Sequence, residues 1–139
     1  MPEPIEISDY TNSLSKTILD TCFFVHTALG PGLLESVYED CVYHYLLKQG
    51  VKVERQKSFQ ISLNDFIVPT ALKIDLLIED SIIVELKAVE KILPIHEAQL
   101  HTYLKLTGKP LGLLINFNTK SLRDGIRRVA MTKSQKNFA

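Results

Sequence analysis

The stretch from Leu72 to Val89 constrains the fold more tightly than any other part of the chain. Leu72, Ile74, Leu76 and Ile78 alternate with Lys73, Asp75 and Leu77, and after Glu79-Asp80-Ser81 the residues Ile82, Val84, Leu86 and Ala88 alternate with Ile83, Glu85, Lys87 and Val89. A period of two repeated on both sides of a turn specifies an antiparallel hairpin. If the turn has three residues, Ile78 faces Ile82, and the same register sets Asp75 opposite Glu85 with Lys87 two residues along the same face. A two-residue turn would shift every pairing by one and send Asp75 and Glu85 to different faces.

The flanks supply the other layers. Leu14, Ile18, Cys22, Val25 and Leu29 recur at spacings of three and four and predict a helix from about Asn12 to Leu29, ended by Gly30-Pro31-Gly32. A second helix is expected from Leu33 to Gln49, with Leu34, Val37, Cys41 and Tyr45 turned inward and Gly50 closing it. Val51 to Arg55 and Phe59 to Leu63 read as strands, Asn64-Asp65 as a turn, and Pro69 confines the next extended stretch to an edge or bulge. Pro94 suits the first turn of a helix running to about Thr107 and stopped by Gly108, and Leu111 to Phe117 reads as a strand buried on both faces. A last helix is expected from Ser121, where Ser121-x-x-Asp124 resembles a capping box. The order α, α, several β, α, β, α describes one α/β layer structure whose meander is joined to a further strand by a crossover helix.

At 139 residues, with 45% hydrophobic and 23% charged, the chain has the size and balance of a single globular domain over residues 1–139. No apolar run approaches the roughly 20 residues of a membrane span, and the start MPEPIEIS has no signal-peptide pattern, so a cytoplasmic protein with no membrane partner is expected. Cys22 and Cys41 lack any ligand spacing and read as buried thiols. Sixteen basic residues balance sixteen acidic ones, but unevenly: residues 1–40 hold seven acids and one base, residues 119–139 one acid and six bases. The basic end, with Lys120, Arg123, Arg127, Arg128, Lys133 and Lys136, suits contacts to phosphates or simply a solvated face.

Two carboxylates opposed on a sheet raise each other's pKa unless a cation sits between them, and a hard divalent ion such as Mg²⁺ prefers oxygen ligands of this kind. Lys87 would then orient water or stabilise charge developing on a phosphate. The same residues, with Lys73, also fit a cross-strand charge ladder on a solvated face. Leu77, Ile83 and Val89 around them favour the first reading, since an apolar surround makes an unliganded carboxylate pair unfavourable.

Asp75 followed by Glu85-Leu86-Lys87 on adjacent strands resembles the Asp…Glu-x-Lys signature of the PD-(D/E)xK nuclease superfamily. Gly32-Leu33-Leu34-Glu35-Ser36-Val37-Tyr38 is similar to the Gly-x-x-Glu-x-x-Tyr motif of the GxxExxY family within it, and Gln99-Leu100-His101-Thr102-Tyr103 resembles the Gln-x-x-x-Tyr helix of RecB-like nucleases. Leu111 to Phe117 is similar to the family's last core strand, while Ile74 stands where the superfamily's name has Pro.

The resemblance, spanning roughly residues 10 to 130, implies an α/β, restriction-endonuclease-like αβββαβ core with a central mixed sheet flanked by helices. It implies a nuclease that hydrolyses DNA phosphodiester bonds with Mg²⁺ or Mn²⁺. Asp75, Glu85, the Leu86 carbonyl and Glu35 would hold the ion, and Lys87 would serve the water or the transition state. Gln99 and Tyr103 would line the site, with Lys120, Arg123, Arg127 and Arg128 on the nucleic acid and a partner protein or second subunit completing the groove. Read without the resemblance, Glu35 complements a helix dipole, Tyr38 is a packing aromatic, and Gln99 and Tyr103 form the edge of an amphipathic helix. A non-catalytic interaction module on the same scaffold, and a nuclease for RNA, are the competing functions.

Overall fold

The computed structural model describes residue 3 and residues 5–132. Helix α1 (Asp9–Leu29) starts three residues before the expected Asn12, because the Ser8 hydroxyl accepts the Thr11 amide at 3.1 Å and caps the first turn. Helix α2 (Glu35–Lys48) follows after a short turn and packs beside it. Their inner faces, with Ile18, Cys22, Tyr38, Val42 and Leu46 fully buried, cover one side of a five-stranded sheet.

That sheet comprises β1 (Val53–Phe59), β4 (Leu72–Ile78), β5 (Ile82–Lys87), β6 (Leu111–Asn116) and β7 (Ile126–Ala130), in the order β1-β4-β5-β6-β7. All neighbours are antiparallel except β5 and β6, which are parallel and joined by helix α3 (Pro94–Thr107), as a parallel connection requires. Leu100 and Leu104 of α3 cover the second face, over Leu72, Ile74, Leu77, Ile83 and Leu114. Gly112 on β6 permits this: a Cβ there would lie 2.7 Å from the Leu100 side chain. Every residue of β6 is buried, as expected for a strand covered on both sides. Taking α2, β1, β4, β5, α3 and β6 in turn gives the αβββαβ order, and a mixed central sheet flanked by helices is the restriction-endonuclease-like arrangement. No helix among the described residues is long and apolar enough to cross a membrane.

Three sequence expectations are corrected. The two strands expected before Asn64 are one long strand, β1, and a short hairpin of β2 (Ser62–Leu63) and β3 (Phe66–Ile67) that lies outside the main sheet. The expected last helix is a single 3-10 turn over Leu122–Gly125 that leads into β7. Pairing with β6 from Leu111↔Ala130 to Ile115↔Ile126 outweighs the capping-box signal there. Facing along β4 also changes midway: Leu72 and Ile74 pack with Leu77 on the α3 side, whereas Leu76 and Ile78 pack under α1 and α2. The switch falls at Asp75.

Candidate active site

The hairpin turn has three residues. Glu79 and Asp80 take left-handed conformations (φ 49° and 54°), the Ser81 amide donates to the Ile78 carbonyl at 2.9 Å, and Ile78 pairs with Ile82. The odd loop length aligns Leu76 with Val84, so Asp75 and Glu85 are the next residues on their two strands. Backbone pairing between β4 and β5 runs only through Ile78↔Ile82, Leu77↔Ile83 and Leu76↔Val84. Beyond it, side chains take over. The Asp75 amide donates to Glu85 Oε2 at 2.8 Å, and the Leu86 amide donates to Asp75 Oδ2 at 3.0 Å.

Burial and mutual repulsion dominate the electrostatics. Glu85 is 5% exposed, and burial first, then the Asp75 carboxylate, pushes its pKa up to about 8. Asp75 is also raised, mainly by burial, although the Leu86 amide and Lys87 pull against that. Glu35 is raised by burial and by Asp75, with Lys87 opposing. Half-buried Lys87 thus lies within electrostatic reach of all three acids. The Tyr103 hydroxyl pKa is raised by burial and then by the charge of Glu85 and Asp75, so it lies within electrostatic range of the pair.

Glu35 reaches this region because of its turn. Gly32 takes φ 98°, a conformation that only glycine adopts freely, and Glu35 begins α2 two residues after Leu33. Tyr38, fully buried and stacked on Phe117 with ring centroids 4.5 Å apart, donates its hydroxyl to the Gly30 carbonyl at 2.6 Å and accepts the Leu33 amide at 3.1 Å. One aromatic residue therefore pins both ends of the turn, and the Ala88 backbone draws the Glu35 pKa partly back down.

Other expected residues are placed differently. Gln99 is exposed on α3, one turn before Tyr103. Lys120 and Arg123 are exposed, but Arg127 and Arg128 sit on β7 rather than on a helix and bond in different directions. Arg127 pairs with Glu97 of α3 at 3.1 Å, and Arg128 bonds Asn12 of α1 at 2.7 Å. Consecutive strand residues face opposite sides, so these four do not make one basic stripe. Lys133 and Lys136 lie outside the described residues.

Sequence reasoning missed Arg55, Gln56 and Glu39. Glu39, buried on α2, takes Arg55 Nη2 at 2.8 Å and Gln56 Nε2 at 3.0 Å. The spacing of four between Glu35 and Glu39 on one helix face was an available signal for Glu39; Arg55 and Gln56 carry none.

The donor set suits a hard divalent cation in part. Glu85 is a buried and Asp75 a half-buried oxygen donor, and both pKa values are raised first by burial and then by neighbouring carboxylates, whose charge a cation would offset. Among the described residues, however, no group of three or more His, Cys, Asp or Glu stands close enough together to hold a metal ion. The structure brings Asp75 and Glu85 together and leaves Glu35 at electrostatic rather than coordinating range.

Comparison with curated proteins finds no match. The family described as the PD-(D/E)XK nuclease superfamily matches residues 12–129, which include most of α1, all of α2, the Asp75 and Glu85 strands, α3 and β6. Nucleases of this superfamily generally use divalent metal ions, and their activity implies binding of nucleic acid. With the match running over most of its length, the chain belongs to the PD-(D/E)XK nuclease superfamily.

Proposed function

We propose that the protein is a metal-dependent nuclease of the GxxExxY type that hydrolyses DNA phosphodiester bonds. The observation that carries this reading is the Asp75–Glu85 bridge: a half-buried and a buried carboxylate accept the backbone amides where the ladder stops, with Lys87 within electrostatic reach. A charge ladder on a solvated face would leave these groups exposed, whereas Glu85 is buried and strongly raised.

Asp75 and Glu85 would hold Mg²⁺ or Mn²⁺, with Glu35 and the Leu86 carbonyl as further oxygen donors. A divalent ion bound there supplies Lewis acidity toward the phosphoryl oxygen and the attacking water. Lys87 orients that water or stabilises the charge that develops on the phosphate. Tyr103, within electrostatic range of the carboxylates, and Gln99, exposed one turn away, line the approach of the substrate. Lys120 and Arg123 contact phosphates directly. Of the two strand arginines, Arg127 joins them by exchanging Glu97 for the backbone, while Arg128, on the opposite face, stays with Asn12. With only a small basic area on a neutral chain, a partner protein or second subunit completes the groove.

Calorimetric titration of Mn²⁺ into the wild type and Asp75→Ala, alongside cleavage of plasmid DNA and of RNA, tests the proposal. Saturable binding and DNA cleavage lost in Asp75→Ala support it. A wild type that neither binds the ion in the presence of DNA nor cuts would leave the interaction-module reading in its place.

A further inference from the structure

Gln56 sits in the middle of β1 with φ 47°, a left-handed conformation that is unfavourable for a residue with a side chain. The strand register is unchanged around it: Arg55 pairs with Leu76 and Lys57 with Ile74, and only the rung opposite Asp75 is missing. No residue is inserted, so the kink serves neither to shift the register nor to end the strand. It does aim one side chain. Gln56 Nε2 donates to Glu39 Oε1 at 3.0 Å and, more weakly, to Asp75 Oδ1 at 3.5 Å.

Glu39 is itself fixed, since its Oε2 accepts both Arg55 Nε at 3.2 Å and Arg55 Nη2 at 2.8 Å. The Arg55 guanidinium lies over the Tyr43 ring at 4.8 Å and also bonds Asp40 at 2.6 Å. A connected path therefore runs from α2 through β1 to the Asp75 carboxylate. The two oxygens of that carboxylate are held from opposite neighbours, Oδ1 by β1 and Oδ2 by the Leu86 amide of β5. A neutral amide is the group suited to this place. It gives a hydrogen to each of two acids, where a carboxylate would repel both and an ammonium would neutralise the charge needed for a cation.

We propose that Gln56, steadied by Glu39 and Arg55, is a positioning residue that sets the orientation of the Asp75 carboxylate. The inference rests on the metal-site reading for its consequence, but the geometry it claims is separable from that reading. Surrounding partners of metal-binding carboxylates typically change metal affinity by about tenfold or more when removed.

The test uses Gln56→Asn, which tolerates the left-handed backbone but is one methylene too short, and Gln56→Met, which keeps the length and lacks the donor. Two readouts are taken: hydrogen exchange at the Leu86 amide by NMR, and Mn²⁺ affinity by calorimetry. Both variants are expected to exchange Leu86 several-fold faster and to bind Mn²⁺ about tenfold more weakly, with Gln56→Asn melting no lower than the wild type. Unchanged exchange at Leu86 in both variants overturns the inference, as does unchanged affinity where the wild type binds the ion. If the wild type takes up no Mn²⁺, the functional reading fails and Leu86 exchange alone decides: faster exchange sustains the positioning role, and unchanged exchange overturns it.

Discussion

Glu85 Oε2 receives the backbone amide of Asp75 at 2.8 Å, while Asp75 Oδ2 receives the amide next to Glu85, that of Leu86, at 3.0 Å. Each acid thus completes the strand that carries the other. The groups proposed to hold a cation are also the ones that close the sheet where its backbone ladder stops, so stability and chemistry are tied to the same two carboxylates.

The first prediction concerns pH. Folding raises the Glu85 pKa from 4.5 to about 8, so the native state keeps a proton that the unfolded chain has already released. By linkage, the contribution of this group is most favourable below the unfolded value and is lost as pH rises toward and through about 8. Asp75 and Glu35 are shifted in the same direction and add to the slope. Denaturant unfolding should show stability falling between about pH 5 and about pH 9, and Glu85→Gln should flatten the decline and be the more stable protein at the alkaline end. A wild type with a level profile over that range contradicts this.

Lys87→Met should separate activity from folding. The ammonium is half-buried and acts on Asp75, Glu85 and Glu35. Its loss should lower the cleavage rate by about 10²-fold or more, as removal of a charge-stabilising donor does, with the melting temperature within a few degrees of the wild type. Rates measured at saturating Mn²⁺ check it, since a defect restored by excess metal would place Lys87 in ion binding instead.

Tyr38→Phe keeps the stacking on Phe117 and deletes the hydroxyl that joins Gly30 to Leu33. Leaving those two backbone groups without their partner should cost about 1–2 kcal/mol in equilibrium unfolding. Cleavage should fall less than in Asp75→Ala, because Glu35 loses the rigidity of its turn but not its carboxyl. A stability equal to the wild type would mean that water replaces the hydroxyl fully.

Local signals carried much of this architecture. Pro94 at the start of α3 and Gly108 at its left-handed end follow from backbone preferences that act within a few residues, whereas the hairpin turn could be read with two or three residues and the structure shows three. The approach of Asp75 to Glu85, expected only for the odd turn, is seen in the two amide bonds that join them. Strand β7 was hidden, because Ile126 and Val129 are spaced like a helix face and the arginines between them suit either element; only β6 alongside decides. The change of facing at Asp75 and the kink at Gln56 were equally hidden, since both are imposed by neighbours far along the chain. Glu39 reads as one more acid on a helix until its place over Arg55 is known.

Cys22 lies fully enclosed beneath α1, and burial pushes its thiol up to about 12, so it stays protonated and out of reach while the helix is seated. A water-soluble alkylating reagent can capture it only during moments when that helix lifts from the strands. Half-exposed Cys41 offers an internal reference for reagent strength. The chain therefore contains its own clock for local opening, and the ratio of the two labelling rates reports how often the first layer comes away.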